Sequence, residues 1–153
     1  MNKMVTTNDS LDKHETIAKA YSDTVRVVKI EREGDIPIYR FEAPYHPVKD
    51  SDTKLEFEDP DKALMYAAVY AACDSFREEK TGRRGIPPEV ASRGKMEMVA
   101  YLTTQRGYSI ESVARVFGIS EQRVYEYRSR IRAKADEKAE EWETEKNQKP
   151  EEN

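Results

Sequence analysis

The chain has 153 residues, 37% of them charged and 37% hydrophobic, with a net charge of −4. At roughly 100–200 residues per domain, that is one small core plus appended segments. The composition excludes a membrane-spanning protein, because the longest apolar run, Ala63 to Cys73, falls well short of the roughly 18 residues a span needs. The N-terminus, MNKMVTTNDS, has neither an apolar segment nor a small-residue cleavage site, so no secretory leader is expected. A single cysteine, Cys73, excludes an internal disulfide and suits a reducing cytoplasm, the compartment expected here.

The net charge hides a pattern. Residues 1–82 carry 12 Lys and Arg against 17 Asp and Glu, residues 83–134 carry 11 against 5, and residues 135–153 carry 3 against 8. A basic block between two acidic ones points to a polyanion partner for the middle segment. The local field at a docking face outweighs the distant acids once salt screens them.

In chain order, residues 1–22 read as a flexible N-terminus with a short helix from Leu11 to about Tyr21, capped by Ser10. From Thr24 the residues become β-branched, and Thr24–Ile30 predicts a strand. Glu33-Gly34-Asp35 is a turn signal, and Ile36–Phe41 predicts the second strand of a hairpin, with Pro37 pushing it towards a sheet edge. That edge is a candidate for self-pairing in a homodimer. Lys54–Glu58 alternates apolar and charged side chains and predicts a third strand. Asp59 and Pro60 make a strong helix start, and the helix is expected to run to about Lys80 as the centre of the core. Residues 23–82 thus form a hairpin-plus-helix unit. Thr81–Pro88 is a linker by composition. Another helix is predicted from Pro87 or Pro88 to about Gln105, ended by Gly107.

The informative stretch is Tyr108–Arg128. Ser109 predicts the cap of a short helix, Ile110–Phe117. Gly118 supplies a residue that tolerates positive φ, and Ser120 caps a second helix from Glu121. Val113, Phe117, Ile119, Val124 and Tyr127 would fill the wedge between the two helices, with small Ala114 at their closest approach. The order Ala114, Gly118, Val124, with these apolar positions around it, resembles a helix-turn-helix unit over roughly Ile110–Ser129. With the preceding helix it makes a three-helix unit, residues 83–134, similar to the C-terminal DNA-binding domains of DNA invertases and resolvases and to region 4 of sigma factors. The resemblance covers about a third of the chain. It implies binding of double-stranded DNA, and it implies that Gly82-Arg83-Arg84-Gly85 is an arm laid in the minor groove. No recombinase catalytic domain fits in the 82 residues before it.

The residue types agree with that implication. A helix entering the major groove presents polar side chains outward and anchors itself by apolar ones. From Ser120 onward Val124, Tyr127 and Ile131 would be buried, while Gln122, Tyr125, Glu126 and Ser129 would face out. Gln122 and Arg123 are the expected base readers, since Gln suits adenine and Arg suits guanine. Arg115, Arg128, Arg130 and Arg132 are the expected phosphate contacts, with Arg83 and Arg84 at the minor groove or backbone. Ser109 and Ser120 lie at helix starts, where backbone N–H groups also meet phosphates. The competing reading of the same residues is a plain αα-corner with solvated arginines paired to acids in the tail.

Residues 135–153 read as an acidic helical extension that fades near Asn147, with Ile131, Ala135, Ala139 and Trp142 as a thin stripe. That stripe would pack on the N-terminal unit or form a dimer seam. His14 and His46 have no ligand partners at metal spacing, Cys73 reads as a buried core side chain, and no acid–base–nucleophile group stands out. Neither a cofactor nor catalysis is expected. The fold expectation is therefore α+β, a small β-hairpin and helix domain followed by a three-helix helix-turn-helix domain with an extended last helix. The function expected is sequence-specific DNA binding by a transcription regulator, as a homodimer. Two alternatives stay open: an accessory DNA-binding protein of a virus or mobile element, and a protein-interaction adaptor without DNA binding. The acidic composition also leaves an archaeal, high-salt source open.

Overall fold

Val27, Val28 and Ile30 crowd one short stretch, and β-branched side chains fit a pleated surface better than a helix. In the computed structural model, which describes residues 11–43, 55–78 and 85–148, this stretch is the second strand of an antiparallel sheet. The strands β1 (Glu15–Ala20), β2 (Arg26–Arg32), β3 (Asp35–Glu42) and β4 (Glu56–Phe57) lie in sequence order across it. Among the described residues five helices follow: α1 (Pro60–Ala72), α2 (Pro88–Ala91), α3 (Lys95–Leu102), α4 (Ile110–Phe117) and α5 (Glu121–Gln148). The fold is mixed α+β. Among the described residues no helix is long and apolar enough to cross a membrane.

The register of the hairpin decides which side chains reach the core. Val27 lies opposite Phe41 and faces α1, while Val28 lies opposite Arg40 on the other face. That outer face carries an ion-pair network, Arg26 to Glu42 at 2.8 Å and Arg40 to both Glu15 and Glu42 at 3.2 and 2.7 Å. Gly34 turns the hairpin with φ 73°, a backbone region that costs glycine nothing.

Four expectations need correction. The stretch from Leu11 to Tyr21 is not a helix: it holds β1, which pairs with β2 and carries an irregularity between Ile17 and Lys19. Its apolar residues are too sparse to fix a helix on the core, and the unpaired backbone edge of β2 offers a full set of hydrogen bonds instead. Ser22 closes the connecting turn, its hydroxyl accepting from the N–H of Thr24 and Val25. Secondly, the edge of β3 is covered from Tyr39 to Phe41, because β4 pairs with Tyr39 and Arg40 and Phe41 N–H donates to Leu55. Thirdly, α1 ends at Ala72 rather than near Lys80. Asp74 and Ser75 take φ of 59° and 82°, and Ser75 N–H closes back on Tyr70 O at 2.8 Å. Finally, the helix expected over 87–105 is two helices, broken at Gly94, whose φ of 128° favours glycine.

The early stop of α1 returns Phe76 and Glu78 to the core. Phe41, Phe57, Tyr66, Tyr70, Phe76 and Tyr101 form an aromatic cluster with neighbouring ring centroids 5.1 to 6.0 Å apart. Tyr66 donates to the buried Glu78 carboxylate, and Tyr101 OH lies 3.0 and 2.9 Å from its two oxygens. One apolar cluster includes Val27 and Phe41 of the sheet, most of α1, and Val99, Leu102, Val113, Val124, Ile131 and Ala135 of the later helices.

Burial, with the Glu78 carboxylate alongside, holds the Tyr66 and Tyr101 phenols above the ordinary tyrosine range. Burial also pushes Tyr21 and the Cys73 thiol up to about 12. Each group is kept neutral by the fold and ionises earlier in the unfolded chain. Its stabilising contribution is complete below the unfolded pKa, about 8.5 for Cys and 10 for Tyr, and is lost as pH rises towards the folded value. The denaturant midpoint should therefore fall between about pH 8 and about pH 10.5, with phenolate absorbance growing in step with unfolding. An unchanged midpoint over that interval would contradict the assignment.

Candidate functional site

Local chemistry fixes the corner between α4 and α5. Ser109 Oγ accepts from Ser112 N–H at 3.1 Å, and Ser112 Oγ accepts from Ser109 N–H at 2.8 Å, a reciprocal capping box. Gly118 leaves the helix at φ 67°, and Ile119 N–H returns to Ala114 O at 3.0 Å. Ser120 then caps α5, its hydroxyl accepting from Arg123 N–H at 3.0 Å. Val113 and Ala114 of α4 and Val124 of α5 are buried where the two helices meet.

The buried stripe of α5 is Val124, Arg128, Ile131 and Ala135, four positions at helical spacing. By the same period Gln122, Glu126, Ser129 and Ala133 lie on the opposite, exposed face. Arg123 and Arg130 run along one flank of that face, and Tyr125, 55% exposed, and Arg132 run along the other. Arg115 is exposed on α4 and pairs with Glu111 at 3.3 Å. Arg123 lies 3.5 Å from Glu126 and packs over the Tyr127 ring. So Gln122, Arg123, Tyr125, Glu126, Ser129 and Arg130 share one accessible half of a single helix. The hydroxyls of Ser109 and Ser120 are engaged as caps. Arg83 and Arg84, with the whole arm segment up to residue 84, lie outside the described residues.

Arg128 departs from the expected exposed cation. It is 4% exposed, and its guanidinium reaches Asp61 of α1 at 2.5 Å, with Arg132 3.5 Å from the other Asp61 oxygen. The Arg128 Nε is buried without a hydrogen-bond partner. Arg128 sits one turn after Val124 and less than one turn before Ile131, and that spacing already places it on the inner stripe.

Two connecting residues escaped the sequence reading. Lys62 of α1 donates to three backbone carbonyls, Thr103 and Tyr108 at 3.0 Å and Gln105 at 3.3 Å. These carbonyls belong to the loop between α3 and α4, so one ammonium group holds the segment that delivers Ser109. Burial lowers the Lys62 pKa from the ordinary lysine value, with nearby Asp59 opposing the shift. The second is Glu97, buried and paired with Lys134 of α5 at 2.7 Å. A signal for Lys62 was present: a cation in the first turn of a helix opposes the macrodipole and so has its reason elsewhere.

The far half of α5 is held as well. Trp142 Nε1 donates to Asp74 at 3.3 Å, and Lys146 reaches Asp23 at 2.6 Å. The stripe thus packs on the rest of the same chain. Among the described residues no group of three or more His, Cys, Asp or Glu could hold a metal ion.

Comparison with protein families, curated proteins and solved structures found no match.

The contacts around α1 generate two stability predictions. Asp61→Ala leaves Arg128 buried without its counter-ion, at a cost of about 2 kcal/mol after allowing for the solvent that reaches Asp61. Arg128→Met removes the buried charge itself and should cost less. Chemical denaturation of the two variants checks the order, and the reverse order would overturn this reading. Lys62→Met strips three carbonyls of their donor and should cost about 2 kcal/mol. Amide hydrogen exchange should accelerate in α4 more than in the sheet, and uniform acceleration would contradict the local role of Lys62.

Proposed function

We propose that the chain binds double-stranded DNA through a helix-turn-helix formed by α4, the Gly118 turn and α5, and that it acts as a transcription regulator. The observation that carries this reading is the division of α5. One face is locked into the core, and the opposite face presents Gln122, Glu126 and Ser129 between flanks that bear Arg123 and Arg130 on one side and Tyr125 and Arg132 on the other. A major-groove helix needs that arrangement, with base-edge readers in the middle and cations towards the two phosphate walls. The excess of Lys and Arg in residues 83–134, 11 against 5 acids, supports it further.

Within this reading Gln122 is the principal base reader, suited to the paired donor and acceptor of adenine. Tyr125 offers an exposed ring to a thymine methyl, and Glu126 accepts from cytosine or repels a wrong base. Arg130 and Arg132 on α5 and Arg115 on α4 contact phosphates. Arg123, on the flank, moves from base reader to groove wall. Arg128 leaves the DNA-contacting set and acts as a strut between α1 and α5. Asp136, Glu137, Glu140, Glu141, Glu143 and Glu145 are all exposed on the second half of α5, so the duplex occupies only the first half. A homodimer would present two such helices to a two-fold site.

The test is selection of bound duplexes from a random library by the full-length chain at low and moderate salt. An enriched motif at both salts is expected, and a two-fold repeat at helical-turn spacing marks the dimer. Gln122→Ala should relax the preference at one base position, at about 1–3 kcal/mol, without unfolding the chain. Recovery of DNA without a motif would favour an accessory binder of a virus or mobile element. No recovery at any salt would overturn the proposal and leave the corner as a protein-binding surface.

A further inference from the structure

Three cations stand in the first turns of helices, where the macrodipole disfavours them: Lys62 in α1, Lys95 in α3 and Arg123 in α5. Lys62 is explained by the three carbonyls it holds. The other two converge. Lys95 and Arg123 line one concavity of about 310 Å³, together with Ile119, Ser120 and Tyr127. Among the described residues no carboxylate lines it. Lys95 is exposed and makes no ion pair among the described residues, so none of their carboxylates offsets its unfavourable position. Glu97, the acid of the same first turn, is turned inward to Lys134 and does not neutralise it.

We propose that this concavity is a phosphate-binding pocket, with Lys95 and Arg123 as its two cations, and that it grips one backbone phosphate of the bound duplex. The assignment rests on the DNA-binding reading and names a contact that α3 adds to the α4–α5 corner. Two side chains on separate helices straddle the bound group, which fits a doubly flanked phosphate oxygen better than a base edge. Ile119 and Tyr127, both half-buried, line the open concavity beside the two cations, which stay exposed to solvent and so act under salt screening. Arg123 already spends part of its charge on Glu126 at 3.5 Å, which leaves Lys95 as the cation most available to a ligand. Lys95 therefore fixes position and affinity and carries no sequence preference.

The experiment has two arms on the full chain. In the first, amide and side-chain NMR signals are followed during titration with inorganic phosphate, with chloride at matched ionic strength as reference. Signals of Lys95, Ser120 and Arg123 should shift with phosphate, and the response should be lost in Lys95→Gln. In the second, duplex affinity of wild type and Lys95→Gln is measured across a salt series. One lost phosphate contact lowers the salt slope by roughly 0.9 log units per log unit of salt, while the preferred sequence stays the same. Gln122→Ala is the contrasting variant, expected to change the preference and keep the slope.

A reduced slope in Lys95→Gln supports the pocket, with or without a response to free phosphate. A phosphate response without duplex binding keeps the pocket for a free phosphate-bearing ligand and overturns the DNA reading. Duplex binding with an unchanged slope in Lys95→Gln overturns the pocket as a backbone contact and leaves the DNA reading standing. Neither a phosphate response nor a slope change overturns the pocket altogether.

Discussion

A helix that is apolar nearly all round cannot sit on a surface, and the burial of α1 sets the rest of the fold. From Met65 to Ala72 every side chain is buried, so the helix needs cover on every side. The sheet supplies one side through Val27 and Phe41, and α3 and α5 supply the others through Tyr101, Leu102, Val124, Ile131 and Ala135. The alanines at 63, 67, 68, 71 and 72 let these neighbours approach closely, while Tyr66 and Tyr70 fill the wider gap towards the aromatic cluster. The two charged residues that open α1 are then brought to its boundary. Asp61 ties α5 through Arg128 and Arg132, and Lys62 ties the loop ahead of α4. The orientation of the exposed corner is thus set by the first turn of the central helix.

The sequence was legible where a residue's local chemistry and its tertiary role agree. The β-branched run, the Asp59-Pro60 start, the Ser109 cap, the Gly118 turn and the Ser120 cap each specify their local geometry without help from distant residues. β1 was hidden because its side chains are mostly exposed and its existence depends on the backbone edge of β2. The end of α1 was hidden because Asp74 and Ser75 take positive φ without being glycine, a conformation enforced by the return of Phe76 and Glu78 to the tyrosines. The exposed face of α5 followed from its period. Arg128 did not, because it borders the apolar stripe of Val124, Tyr127 and Ile131, and the inward turn of that border towards Asp61 depends on α1.

Net charge says little about this molecule, since the charges are arranged in separate regions. On the outer sheet face Arg26, Arg40, Glu15 and Glu42 satisfy one another. Along α5 the cations gather in the first half and the acids in the second. Several of the second half's charges are used within the chain, as in the pairs of Lys138 with Glu141 and Lys146 with Asp23. At moderate salt the Debye length is about 8–10 Å, shorter than the separation of two distant turns on a long helix, so the basic half keeps its own field.

The length of α5 matters for the same reason. A helix anchored only at its first turns could rotate about its own axis and present a different face. Here Val124, Arg128, Ile131 and Ala135 hold the first half, and Trp142 with Asp74 and Lys146 with Asp23 hold the second. Rotation would have to break contacts at both ends together. In the DNA-binding reading, this makes the relation between Gln122 and the flanking arginines a fixed property of the fold rather than one selected on binding. The ordering cost of the reading face is then met during folding, and the binding step has only the side chains left to arrange.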